Sequence, residues 1–182
     1  SLVGSEMCIR DRYTMVDYLL QMGHRDIVFV GSVNATSSIT DRYYGYCRAM
    51  REASVTVTED RILPDRDAEG KVTVSLERLS KLPTAFACNC DVTAYVLLNA
   101  LKENGIRVPE DVSVVGFDDY ILADLAVPSL PTYAIDVDHM AKVSAQQLIR
   151  RIQKPEAEVR RIVVSGKLVI RESVQKHSGN TA

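Results

Sequence analysis

Apolar residues recur along the chain in two alternating periods. Met15, Leu19 and Met22 keep helical spacing and Gly23 is placed to close that helix; Ile27 to Val30 then form a short apolar run, so the pattern predicts a helix followed by a strand. Thr40 or Asp41 can cap a second helix carrying Tyr44, Cys47 and Met50, which the β-branched stretch around Val55 ends. Ile62 and Leu63 read as a strand stub before Pro64, and Leu76, Leu79 and Leu82 mark a third helix. Thr84 to Cys88 is another strand, stopping at Asn89. Ala94, Leu98 and Leu101 then follow Asp91 at helical spacing, with Gly105 just beyond. Val112 to Phe117 is a nearly uninterrupted apolar run, as expected of a central parallel strand buried on both faces.

Strands and helices alternating at this spacing predict an α/β fold with a doubly wound parallel sheet. After Pro128 and Pro131 the pattern changes. A short extended piece runs to Ile135, and a helix carries Met140, Ala141, Ala145, Leu148 and Ile152. β-branched runs come next at Ile162 to Val164 and Leu168 to Ile170. Residues 1–12 have no assignable period and are expected to be foreign to the rest of the chain.

The 182 residues are 46% hydrophobic and 25% charged, the balance of a globular domain. No apolar run approaches the roughly 18 residues that cross a bilayer, and no signal-peptide order opens the chain, so a cytoplasmic location with no membrane partner is expected. A formal charge of −2 offers no basic stripe for nucleic acid. Cys88 and Cys90 stand on alternate residues, which suits a disulfide poorly, and with Cys8 and Cys47 they read as reduced thiols. Neither they nor the scattered His24, His139 and His177 make a metal site, and no cofactor is implied.

From about Tyr13 to Val174, Gly23-His24-Arg25-Asp26-Ile27, Asp41-Arg42-Tyr43-Tyr44-Gly45-Tyr46, the run from Val108 to Asp119 and the close at Leu168 to Ser173 follow in an order that resembles the effector-binding domain of the LacI/GalR family of transcription regulators. Gly23-His24-Arg25 resembles the family's strand approach, and Arg42-Tyr43-Tyr44-Gly45-Tyr46 its Arg-x-x-Gly-Tyr helix start. The stretch from Val108 through Val115-Gly116-Phe117-Asp118-Asp119 is similar word after word, as is the close at Leu168-Val169-Ile170-Arg171-Glu172-Ser173. The resemblance implies a periplasmic-binding-protein-like type I fold, of which this chain holds mainly the C-terminal lobe: residues 13–134, a remnant of the N-terminal lobe at 135–161, and a return with its tail at 162–182. The helix-turn-helix headpiece and most of the first lobe are expected to be missing.

In open parallel sheets a ligand sits outside the carboxyl ends of the strands, where Asp118 and Asp119 come directly after the apolar run. A sugar hydroxyl is both donor and acceptor, so a carboxylate can accept two of them while a guanidinium donates in a fixed fork. The residues alone are equally compatible with a polar turn at Asp118 and a solvated Arg42; the resemblance assigns both to the effector. It also turns Thr36, Ser37 and Ser38 toward the cleft. Cys90 and Asp91 stand where the family commonly has Asn-Asp, and here the Asn, Asn89, is one place early. Asn89 or the Asp91 carboxylate is open to the polar contact, and capping the following helix is a second role open to Asp91.

No nucleophile with a base, phosphate loop or acid pair beyond Asp118 and Asp119 suggests catalysis, and the chain is not expected to be an enzyme. The implied function is the ligand-sensing part of a dimeric regulator. A sugar or similar polar effector would control its binding to operator DNA through the headpiece. A periplasmic sugar-binding protein of a transport system shares the fold and is the alternative.

Overall fold

The computed structural model describes residues 5–160 and 162–178. Strands β1 (Ile27–Val30), β2 (Ile62–Leu63), β3 (Ala85–Cys88) and β4 (Ser113–Val115) lie parallel in the order β2-β1-β3-β4. Their side chains alternate between two cores. Ile27, Phe29, Ala85, Ala87 and Val115 face one, while Val28, Val30, Phe86, Cys88 and Val114 face the other. Because both faces are covered, these strands carry no polar alternation. Helices α1 (Ser5–Gln21) and α2 (Ser37–Glu52) close the first core with Met15, Leu19, Tyr46 and Met50. Helix α3 (Asp91–Glu103) closes the second with Ala94, Leu97 and Leu101, and each fully buried leucine contributes roughly 2 kcal/mol. The chain leaves β1 toward β2 through α2 and leaves β3 toward β4 through α3. The connections diverge between β1 and β3, which creates a topological switch point there.

Several boundaries differ from the sequence pattern. Of the segment expected to be foreign, residues 1–4 lie outside the described residues; from Ser5 the chain is already in α1, where Cys8, Asp11 and Arg12 are buried. Gly23, at φ 92°, ends α1 as expected, with its N–H on the Leu20 carbonyl and that of His24 on Leu19. Helix α2 starts earlier than Thr40, because Thr36 caps it by accepting from the Ile39 N–H at 3.2 Å. Of the three leucines expected in a third helix only Leu76 is helical, in a single turn at Leu76–Arg78. Pro83 comes too soon for a helix to propagate, and the residue before it is steered away from α.

Beyond β4, a short helix α4 (Ile121–Leu125), invisible in the pattern, precedes strand β5 (Thr132–Ala134). The chain runs out through β5 to helix α5 (Val137–Gln153) and returns through β6 (Lys167–Val169), which pairs antiparallel with β5. Ile162 to Val164, read as a strand, has no regular structure. It borders a groove of about 160 Å³ lined by Met140, Val143 and Gln147 of α5. Its β-branched residues join neither β5 nor β6. No residue of α5 is buried, and Leu148, Ile149 and Ile152 are all more than half exposed. The tail then lies along β4, where the Ser173 carbonyl accepts from the Val114 N–H and the Ser173 N–H donates to the Ser129 carbonyl.

Candidate functional site

The site stands at the carboxyl ends of β1, β3 and β4. Arg42, early in α2, sends its guanidinium across the Phe117 ring, 4.1 Å from the centroid. Nη1 donates to the Asn89 carbonyl at 2.6 Å and to Asp118 Oδ2 at 3.3 Å, while Nη2 donates to Asp118 Oδ1 at 2.7 Å. A fork gripping a carboxylate in this way fixes both groups in orientation. The Asp118 side chain keeps 16% of its surface and that of Arg42 11%. The pair therefore keeps only a narrow solvent-facing surface. Burial pushes the Asp118 carboxyl above its ordinary range, outweighing the attraction of Arg42.

Asp118 and Asp119 both adopt left-handed backbone, at φ 102° and 59°. Residues with a Cβ visit that region at a cost, so something must hold them there. Asp91 does. Its Oδ1 accepts from the Phe117 N–H at 2.7 Å and the Thr132 hydroxyl at 2.8 Å, and its Oδ2 accepts from the Tyr120 N–H at 2.8 Å. These bonds bracket the turn on both sides. Gly116 leaves room for them, since a Cβ there would overlap the Asp91 carboxylate. Burial lifts the Asp91 carboxyl to about 6 against the pull of its three donors.

The residues singled out in the sequence separate into groups. Arg42 and Asp118 meet. Asp91 is fully buried with both oxygens engaged, and it neither caps α3 nor opens to the cleft. The Asn89 amide also points inward: its Nδ2 donates to Asp65 Oδ2 at 2.7 Å and its Oδ1 lies 3.1 Å from the Thr93 hydroxyl, leaving only the backbone carbonyl to Arg42. Cys90, half-buried at the N-cap of α3, has its Sγ 3.4 Å from the Thr93 hydroxyl. Thr36 is exposed on the rim and half-buried Ser38 stands beside it; their hydroxyls are 3.0 Å apart, and Thr36 also serves as the α2 cap. The four cysteines are unpaired.

Sequence reasoning missed Phe117, Thr132, Asp65 and Arg12. The first two sat inside an apolar run and a proline-rich crossover, and only their partners reveal them. Asp65 came after a two-residue strand too short to announce a strand end. Arg12 is fully buried from α1: its guanidinium carbon lies 4.8 Å from the Phe117 centroid, and Nη2 donates to the Asn89 carbonyl at 3.1 Å and to that of Cys88. Its Nε and Nη1 have no partner among the described residues. Burial and the neighbouring Arg42 hold its pKa down to about 10.

In parallel α/β sheets ligands sit at the switch point, where Arg42 and Asp118 meet, and the comparison with known proteins agrees with that fold class. The model of the periplasmic binding protein-like domain matches residues 16–174, and the chain belongs to that family as an effector-binding domain of the LacI/GalR kind. It is 34% identical over 167 residues to the HTH-type transcriptional repressor PurR of Vibrio parahaemolyticus, covering 90% of this chain and 50% of that protein. It is 30% identical over 164 residues to the probable repressor ExuR of Bacillus subtilis, covering 88% and 49%. The chain thus spans about half the length of the curated relatives it matches. Among solved structures, a LacI family transcriptional regulator from Enterococcus faecium with bound ribose superposes with TM-score 0.82 at 26% identity, covering 94% of this chain and 65% of that one. The sugar-binding regulator of the LacI family from Escherichia coli complexed with phosphate gives 0.80 at 27% identity, covering 94% and 62%.

Proposed function

We propose that this domain is the ligand-sensing part of a cytoplasmic LacI/GalR-type transcription regulator. Arg42 and Asp118 grip a small polyhydroxylated effector, a sugar or a similar polar molecule, with Ser38, Thr36 and Cys90 at the rim. The observation that carries the reading is the Arg42–Asp118 pair at the switch point, a donor and an acceptor side by side where hydroxyl pairs need both. The repressor names of the relatives and the sugar bound in the Enterococcus faecium structure support it. Asn89 and Asp91 serve the effector indirectly, by holding Arg42 and the Asp118 turn.

Helix α5, with no buried residue and an apolar stripe, is the part of this sequence that belongs to an N-terminal lobe. In the full-length protein, closure of two lobes around the effector would shift a homodimer between operator-bound and released states, the DNA contacts being made by a headpiece. Exposed Ile121, Leu125 and Val127 in and after α4 offer an apolar patch for the second copy. Calorimetry of the full-length protein against a panel of pentoses and hexoses tests the effector class. A saturable response to one of them is expected, and none from any sugar overturns it.

A further inference from the structure

Asp65, just past β2, is a buried carboxylate that the motif pattern of the sequence leaves without a role. It has no exposed surface, and among the described residues the nearest cationic nitrogen is Arg66 Nε at 3.8 Å. Its charge is met by three donors from three different elements. The Ser32 N–H beyond β1 reaches Oδ1 at 2.8 Å; the Asn89 amide beyond β3 and the Thr93 hydroxyl in the first turn of α3 reach Oδ2 at 2.7 and 2.8 Å. Burial pushes this carboxyl up, but the donors outweigh burial and leave it below its ordinary range. An ionised group so placed ties the ends of β1, β2 and β3 to the start of α3.

We infer that Asp65 is a positioning residue for the effector grip, acting through Asn89 on Arg42, a role that rests on the proposed hold of Arg42 and Asp118 on the effector. The path is short. Asp65 holds the Asn89 side chain, the Asn89 carbonyl accepts from Arg42 Nη1 at 2.6 Å, and Arg42 Nη2 meets Asp118 at 2.7 Å. With the Asn89 N–H on the Val30 carbonyl at 2.8 Å, the residue is fixed at its backbone and at its side chain, which leaves its carbonyl one direction. A guanidinium held at two points cannot rotate about Cζ–Nε, so the donor edge it offers the effector is set before binding. Asp65 never touches the effector.

The test uses two independent readouts. In nitrogen-15 NMR of the 182-residue chain, with Arg42→Lys for assignment, the Arg42 Nη signals should be resolved and slowly rotating; in Asp65→Asn they should average, with rotation at least tenfold faster. The exchanged pair Asp65→Asn with Asn89→Asp restores a donor opposite an acceptor and should return slow rotation. In calorimetry of the full-length protein with D-ribose as the probe, Asp65→Asn should raise Kd at least tenfold per folded molecule, and the exchanged pair should recover to within threefold of wild type. A lower Tm with unchanged Arg42 rotation in Asp65→Asn would make Asp65 merely structural and overturn the inference, as would an exchanged pair that folds without restoring slow rotation. If Asp65→Asn does not fold, Thr93→Val decides, since it removes one donor and should speed Arg42 rotation by a smaller factor; no change overturns the inference. Wild-type protein that ignores ribose counts against ribose as effector, and the rotation measurement still decides the role of Asp65.

Discussion

Arg42 and Asp118, 76 residues apart in sequence, meet at 2.7 Å over the ring of Phe117. One side of the grip comes from the helix after β1, the other from the turn after β4. Neither is useful alone. A lone buried guanidinium or carboxylate is costly, whereas the pair is neutral in sum.

Replacing Asp118 by Asn or Ala in the full-length protein should weaken effector binding by about a hundredfold or more, since each charged hydrogen bond is worth roughly 1.5 to 3 kcal/mol. The fold should survive because Arg42 keeps the Asn89 carbonyl. Calorimetry with the responding sugar measures this; a Kd within threefold of wild type for both variants removes Asp118 from the site.

Arg12 should be a liability. It is fully buried beside Arg42, with two guanidinium nitrogens unpartnered among the described residues and no acidic side chain bonded to it there. Filling its volume with Arg12→Met should raise Tm by roughly 2 to 4 °C, because an uncompensated buried charge costs more than an apolar side chain of similar size. A thermal scan showing a clear drop would mean that the bonds from Nη2 to the two carbonyls outweigh the desolvation.

Amide hydrogens of α5 should exchange faster than those of α3. The α3 helix buries Leu97, Leu98 and Leu101, whereas α5 buries nothing. Leu148→Lys should accordingly cost less than about 0.5 kcal/mol in this chain. Equal protection of the two helices in hydrogen exchange would remove α5 from its proposed place against another lobe.

Stability should fall as pH drops from about 6.5 toward 4 through His24. The imidazole is buried with Nδ1 unpartnered among the described residues, it stacks on His177, and its Nε2 lies 3.1 Å from the Gln175 carbonyl. Burial holds its pKa down to about 4. In that window the unfolded chain binds a proton that the folded chain refuses, so unfolding gains up to roughly 1 kcal/mol per pH unit. Asp91 runs the other way: raised to about 6, it makes the folded state the better proton binder between about 4 and 6, and stability there falls as pH rises. Denaturant midpoints of wild type and His24→Gln isolate the first effect. A wild-type curve no steeper than the variant's below pH 6 rules it out.

The alternation of short apolar runs with helical stripes by itself determined the α/β class, the parallel sheet and the places of β1, β3, β4 and α3. Strands buried on both faces read as short unbroken apolar runs, and helices carrying one apolar face read as stripes at helical spacing. The motif words around Arg42 and Asp118 singled out two residues that the fold brings together at the switch point. Only the tertiary structure decided which polar side chains face the cleft. Asn89, Cys90 and Asp91 are consecutive, yet Asn89 turns to Asp65, Asp91 turns to the backbone of Phe117 and Tyr120, and Cys90 stays at the helix cap. Direction at a strand end depends on which partners the neighbouring elements bring within hydrogen-bonding reach, and Asp65, Phe117, Tyr120 and Thr132 are all more than twenty residues away in sequence. The same holds for the left-handed turn at Asp118, which looks like any Gly-Phe-Asp-Asp sequence until Asp91 bonds both sides of it.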